Sequence, residues 1–357
     1  MNNPPIIDKE YLANALRLRI TQISNIDIYQ VIESNTALVI KLKVLIKENN
    51  NIDSTIQLFI KTLKYKSENN NYNDLSINEA EFYKLIQCET KEKLPIAQCF
   101  DAYISEDGSK YILLLEDLSN EFDSSDKVNL SSESVWLSAA SSLAKFHATF
   151  WNSDKIGSSD LPIDDIEKIN IYIKNTYESY DKFIKYVGNR FDNETLAIYE
   201  HALKISVGLE TERYNRLTNK DNITLKHGDS HIHNFMFPHN QNETTIIIDF
   251  QFWGMGIGVG DVAHLTRESL PESYGEKFHR SIIENYYETL LVNDVCNYSW
   301  DTCWNDYRKQ VASMLLIPMW QYTCFNIEYD NWAKDVSTLI LNYKVLNCQQ
   351  LIGSESI

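Results

Sequence analysis

The chain has 357 residues, with 33 Lys or Arg against 50 Asp or Glu, for a formal charge of −17. So acidic a chain argues against a nucleic-acid partner, whose phosphates are held mainly by cations that displace counterions, and against an anionic membrane surface. At 43% hydrophobic and 12% aromatic residues it can bury a large core, which excludes global disorder, and its length favours two lobes or domains over one.

Pro4 and Pro5 precede a mixed pattern at helical spacing over residues 6–20. Residues 37–46 and 55–63 alternate, are rich in Val, Ile and Leu, and flank a polar tract at 47–54, which predicts two strands joined by a turn. The Asn-rich tract 67–74 reads as a solvated loop, and residues 77–86 as a helix with Phe82 and Ile86 on one face. A short strand near 98–103 and a strong one at 111–115 complete a small sheet with one inserted helix. Trp136, Ala140, Leu143, His147 and Phe150 then recur at three- and four-residue steps, predicting an amphipathic helix over 135–151. Helical stretches follow over 166–217, short strands and loops over 224–249, and helices again over 274–291, 304–325 and 332–346. The fold class is therefore α+β, with an expected small β-rich lobe at 1–117, a mainly helical lobe at 118–357, and a cleft between them. No apolar stretch approaches the ~20 residues that span a bilayer. The six cysteines are scattered with no CxxC pair, and no secretory signal opens the chain. Reduced thiols in a cytoplasmic protein are expected.

The chemically informative stretch is His227-Gly-Asp229-Ser-His231-Ile-His233-Asn234-Phe-Met-Phe, followed at 246–251 by Ile-Ile-Ile-Asp249-Phe-Gln. Asp229, Asn234 and Asp249 are oxygen-bearing side chains on loops between short strands, a hard-ligand set of the kind Mg²⁺ prefers. Phosphoryl transfer needs such a set: one carboxylate orients the attacking hydroxyl and accepts its proton, while an Asn and a second carboxylate hold metal. The Asp-to-Asn spacing equals that of the protein-kinase catalytic loop, with Asp249-Phe250 in the place of its metal-binding Asp-Phe. Zinc at the three histidines is the weaker alternative, because carboxylates interleave them and no further N or S ligand is nearby. His227 is expected to brace the loop by hydrogen bonds. Gly254, Gly256, Gly258 and Gly260 fail the G-x-G-x-x-G register at Val259, so the run reads as a flexible segment rather than a dinucleotide fingerprint.

With these residues the chain resembles the aminoglycoside phosphotransferase and choline kinase-like superfamily, and within it the ecdysteroid kinase-like branch. The H-G-D-x-x-x-x-N loop and I-D-F-Q carry the likeness. So do a looser G-x-G-x-x-x-D-x-A element containing Asp261 and Ala263, and the L-A-x-x-H-A-x-x-W pattern containing His147 and Trp151. The resemblance implies a protein-kinase-like two-lobe fold with ATP between the lobes. Lys61, in Leu-Phe-Ile-Lys-Thr-Leu, would contact the α and β phosphates, and Glu79 would pair with it; Glu81, two residues on, is the competitor. Residues 113–118 would form the hinge strand whose backbone, at Glu116 and Leu118, meets adenine. Ser34 and Asn35 stand in the nucleotide-covering turn, where the family often has Gly, and still offer donors to phosphate. Asn234 and Asp249 would hold Mg²⁺, and Asp229 would aim the acceptor hydroxyl. His231 is similar to the aminoglycoside branch, and His233 is unusual in either.

The implied activity is an ATP- and Mg²⁺-dependent kinase acting on a hydroxylated metabolite, natural product or sterol-like alcohol. The alternatives are an aminoglycoside or choline-type amine-alcohol kinase and a nucleotide-binding pseudokinase scaffold. The scaffold should lack one of Lys61, Asp229, Asn234 or Asp249, and all four are present. Protein kinase activity is disfavoured, since no A-P-E-type anchor follows Asp249. Trp253, Trp300, Trp304, Trp320, Tyr322 and Trp332 would either pack the core or line an apolar or cationic acceptor pocket.

Overall fold

A computed structural model describes residues 7–33, 37–48, 52–63, 70–89, 94–108, 110–158, 161–163, 165–240, 243–267 and 275–351. In chain order the first elements are α1 (Lys9–Ala15), β1 (Ile23–Glu33), β2 (Ala37–Glu48), β3 (Ile52–Leu63), α2 (Asn70–Glu89), β4 (Cys99–Ile104), β5 (Tyr111–Glu116) and β6 (Phe122–Ser124). There follow α3 (Glu133–Thr149), α4 (Ile166–Val187), α5 (Asn193–Asn219), β7 (Thr224–Lys226), β8 (Phe235–Pro238), β9 (Ile246–Ile247) and β10 (Gly254–Gly256). The last are α6 (Val259–Leu265), α7 (Gly275–Val292), α8 (Trp300–Met314), α9 (Ile317–Phe325) and α10 (Tyr329–Val345). Ser34 and Asn35 lie outside the described residues.

The chain divides into two units: Met1–Asp126 with Met236–Trp253, and Lys127–Phe235 with Gly254–Ile357. This differs from a single break after residue 117, because β6, β8 and β9 pair in one small sheet and carry 236–253 into the first unit. The other sheet of that unit is five-stranded, in the order β1-β2-β3-β5-β4, with antiparallel neighbours throughout. The alternation seen in the sequence becomes alternate burial: Leu42, Val44 and Ile46 of β2 join Leu58 and Ile60 of β3 and Leu12 of α1 in one apolar cluster. α1 stops at Ala15, short of the predicted residue 20, where Arg17 takes a left-handed φ of 57°.

α2 begins at Asn70, inside the tract expected to be a loop. Asn is a poor helix former, but the buried face of Ala80, Phe82, Tyr83 and Ile86 anchors the helix downstream, and tertiary packing of this kind overrides local preference. In the second unit α3 packs on α7, and α6 and α5 on α8, around buried Trp136, Leu143, Phe146, Ile282 and Tyr286. The helix predicted over 304–325 is two helices: α8 starts at Trp300 behind an N-cap Ser299, and α9 restarts with Pro318 in its first turn, where a missing N–H is harmless. The glycine run is not a flexible segment. β10 pairs with β7, α6 follows directly, and Gly256, Gly258 and Gly260 are buried. Among the described residues no helix is long and apolar enough to cross a membrane. Cys99, Cys296, Cys303, Cys324 and Cys348 are free thiols.

Candidate active site

Within the first unit, Lys61 stands on β3 opposite Val39 of β2 and Leu113 of β5, on the inner strand of the sheet. Its Nζ donates to Glu79 Oε2 at 2.6 Å and to Asp249 Oδ1 at 2.9 Å. Glu79 is buried while Asp249 keeps 40% of its side chain exposed. Burial opposes a charged lysine, but the two carboxylates outweigh it and raise its pKa, so Lys61 is an ammonium. Glu81 is exposed, which leaves Glu79 as the partner.

Asp249 follows β9 with a left-handed φ of 67°, a conformation that a short polar side chain tolerates better than most. The segment after it is clamped to α2. Phe250 stacks on Phe82 with centroids 3.8 Å apart and planes at 5°. Asn78 Nδ2 donates to the Gln251 carbonyl at 2.7 Å, and Trp253 Nε1 donates to the Asn78 carbonyl at 2.7 Å. Asn78, Glu79 and Phe82 share one helical face, so the contacts that seat α2 also fix Lys61 and Asp249 to each other.

At the expected hinge, Glu116 is engaged within the chain. Its amide donates to the Gln98 carbonyl at 3.0 Å, and its carboxylate accepts from the Gln98 amide at 2.7 Å. Leu118 opens a short 3-10 turn, Leu118–Asn120, capped by Asp117, whose carboxylate accepts from the Ser119 amide at 3.0 Å. Lys41 Nζ, at 3.3 Å, and the Tyr29 hydroxyl also reach Asp117. Burial would raise its pKa, but hydrogen bonds from Ser119 and Tyr29 hold it below the usual carboxylate value.

In the second unit the loop after β7 hangs on Asp261 of α6. Asp261 Oδ2 accepts from the His227 amide at 2.6 Å, and Oδ1 from the Gly228 amide at 3.0 Å. His147 Nε2 lies 3.0 Å from Oδ2, and Ser230 Oγ donates to the Asp261 carbonyl at 2.7 Å. Burial works against the charge, yet the His147 hydrogen bond and neighbouring positive charge keep Asp261 well below the ordinary carboxylate range. His147 Nδ1 in turn lies 2.9 Å from the Tyr286 hydroxyl. The backbone reaches this arrangement through Gly228, at φ 85°, and Gly258, where a Cβ would come within 2.9 Å of Thr224 Cγ2 and of the Tyr286 hydroxyl.

Inside the loop, the Asp229 amide donates to His227 Nδ1 at 3.2 Å, so His227 does brace it. Asn234 Nδ2 donates to the Asp229 carbonyl at 2.7 Å. That bond spends the amide nitrogen and leaves the Asn234 oxygen as the atom available to a ligand. The Asp229 side chain is 32% exposed, with His264 Nε2 3.4 Å from Oδ1 and His231 Nε2 3.6 Å from Oδ2. Among the described residues no group of three or more His, Cys, Asp and Glu is arranged to hold a metal.

The structure thus joins Lys61, Glu79 and Asp249 in one unit, and Asp229 with Asn234 in the other. Sequence reasoning quoted Asp261 and His147 without giving them work, and it missed His264, which follows Asp261 by three residues on the same helix. The six aromatic residues do not form one group. Trp253 belongs to the α2 clamp, Trp300 and Trp304 stack at 5.9 Å, Trp320 faces Tyr172, and Tyr322 stacks on Tyr186 at 3.9 Å, with Trp332 buried nearby.

A family model described as the ecdysteroid kinase-like family matches residues 10–295. No curated protein matches the sequence. Among solved structures, an aminoglycoside phosphotransferase-like protein of Ralstonia eutropha JMP134 is similar with a TM-score of 0.57 at 11% identity, covering 95% of this chain and 98% of its own. The microcompartment-associated aminopropanol kinase gives 0.52 at 12% identity, over 95% and 97%. Ethanolamine kinase of Plasmodium vivax gives 0.53 at 11%, over 92% and 83%. Identities this low carry the fold, which is an α+β kinase-like one.

Proposed function

This chain belongs to the ecdysteroid kinase-like family, whose fold and relatives indicate a small-molecule kinase, and on that premise we propose that it transfers the γ-phosphoryl group of ATP to a hydroxyl of a metabolite, natural product or sterol-like alcohol. The observation that carries this is Lys61 held as an ammonium between Glu79 and Asp249, a cation on a rigid strand suited to phosphate oxygens. Lys61 contacts the α and β phosphates and Glu79 fixes its direction. Ser34 and Asn35 supply further phosphate donors, and adenine meets the backbone at Glu116 and Leu118, since the Glu116 side chain is occupied by Gln98.

Asn234 and Asp249 fit Mg²⁺, because both offer hard oxygen donors: the Asn234 amide oxygen is set free by the bond its nitrogen makes to Asp229, and Asp249 is part-exposed. Mg²⁺ takes only one or two protein ligands in such sites and completes its shell with phosphate and water. When bound it would neutralise charge on the phosphates. Asp229 accepts the acceptor hydroxyl's proton and orients its oxygen for in-line attack, which is the work left to the protein when the transition state is loose. Free thiols suit a reducing compartment, and we place the reaction in the cytoplasm.

An amine-alcohol or aminoglycoside acceptor is the second substrate class, favoured by the charge of −17, which raises the local concentration of a cation. The test is a thermal shift with Mg-ATP, followed by phosphorylation of a panel containing both neutral and amino alcohols. Transfer to a neutral alcohol supports the first acceptor class, and transfer confined to amino alcohols supports the second. A shift with no transfer across the panel would overturn the kinase assignment in favour of a nucleotide-binding scaffold.

A further inference from the structure

We propose that His264 is a positioning residue for the proposed catalytic base: its ring, with Nε2 3.4 Å from Asp229 Oδ1, sets the carboxylate so that the other oxygen is presented to the acceptor hydroxyl. The inference rests on the phosphoryl-transfer role given to Asp229. Its geometric basis is independent of that role. His264 Nε2 lies 3.4 Å from Asp229 Oδ1, and the side chain is only 10% exposed. Its other nitrogen, Nδ1, is buried with no hydrogen-bond partner among the described residues.

That asymmetry selects the tautomer. Burial, followed by the nearby Arg267 guanidinium, pushes the His264 pKa well below its ordinary value, so the ring is neutral and carries one proton. On Nδ1 that proton would be a buried donor left unpaired, and the Nε2 lone pair would face carboxylate charge. Each is unfavourable. On Nε2 it faces the Asp229 carboxylate, leaving Nδ1 as a bare acceptor, the less costly group to strand. A neutral ring orients Asp229 without adding a second positive charge to that of the Arg267 guanidinium, which already acts on the carboxylate.

The ring is also rigidly aimed. α6 is tied to the loop through Asp261, which holds the His227 and Gly228 amides and accepts from Ser230 Oγ at its carbonyl. At the other end, Thr266 Oγ1 lies 2.8 Å from the Tyr307 hydroxyl. His264 sits between these anchors, so its position relative to Asp229 is set by the same scaffold that sets the loop. His231, 3.6 Å from Oδ2 and 26% exposed at its side chain, lies on the oxygen that the acceptor would use.

Two measurements on the full chain test this. In protein with ¹⁵N-labelled histidine, assigned through His264→Gln, the His264 ring should be the Nε2–H tautomer, and its nitrogen shifts should move in Asp229→Asn while those of His279 stay. An Nδ1–H tautomer, or shifts indifferent to Asp229→Asn, would overturn the inference whether or not the protein is a kinase. In phosphoryl transfer, His264→Leu should lower kcat at least about tenfold with KM for ATP within about twofold. His264→Gln, which keeps an N–H donor, should recover most of the loss. Equal rates for the Leu and Gln variants, or a Leu variant as fast as the wild type, would sink the positioning role. A wild type with no Mg-ATP turnover would overturn the kinase assignment instead, and the NMR result alone would then decide the contact.

Discussion

Asp229 presents its carboxylate from a loop whose backbone is held by Asp261, His227 and Asn234. Replacing it by Asn keeps the shape and removes the proposed base. Asp229→Asn should retain the Mg-ATP thermal shift while turnover falls by roughly 10²–10⁴, measured by steady-state transfer. Lys61 makes a complementary case. Lys61→Met leaves the carboxylate of Glu79, only 2% exposed, without its cation, and stranding one member of a buried pair costs about 3–5 kcal/mol. Adding Glu79→Gln should recover part of that loss, read by urea denaturation of the single and double variants. At this scale the sequence was legible where chemistry imposes a spacing. His227, Asp229, Asn234 and Asp249 all fall within residues 227–249, and Lys61 proves to pair with Glu79 and with Asp249 of that segment. His264 carries no such signature, since a lone histidine on a helix becomes meaningful only through what packs against it.

Elements were legible where apolar periodicity decides them and obscure where packing or a single residue does. The strands at 37–46 and 55–63 and the helix around Leu143 matched because alternate or every-fourth residues bury. The start of α2, the end of α1 and the break before Pro318 depended on tertiary anchoring, a left-handed Arg17 and a missing N–H. The glycine run shows the contrast most clearly, because composition suggested slack where the structure has close approach. Gly258→Ala should destabilise the protein by about 1–3 kcal/mol, since the added methyl meets Thr224 and Tyr286 at 2.9 Å. Gly254→Ala has nothing within 4 Å of its Cβ and should change stability by no more than about 0.5 kcal/mol. Thermal unfolding of the pair checks both.

For the whole molecule, pH reports on buried groups rather than on the surplus of surface carboxylates. His279 is buried, and desolvation lowers its pKa from 6.5 to about 4. Between those values the unfolded chain binds the proton more readily than the folded one, so stability is complete above about pH 6.5 and falls as the pH drops toward 4. The loss is about 3 kcal/mol, and His279→Gln should flatten that part of the stability–pH curve. Asp261 acts lower: with its pKa held well below the carboxylate norm, its contribution is present above the unfolded value and disappears only as the pH falls beneath it. The α+β kinase-like fold was legible from motifs that span the chain. The division into units was not, because 236–253 joins the first unit through strand pairing between residues more than a hundred positions apart. The charge of −17 argues against a phosphate-backbone partner, while the proposed nucleotide site asks for no more cation than Lys61 and Mg²⁺. The most direct test is transfer of labelled γ-phosphate from Mg-ATP to a panel of hydroxylated small molecules, with wild type and Asp229→Ala side by side. The account predicts that the wild type phosphorylates at least one acceptor and that the variant is slower by at least about 100-fold; transfer by Asp229→Ala at the wild-type rate would contradict it.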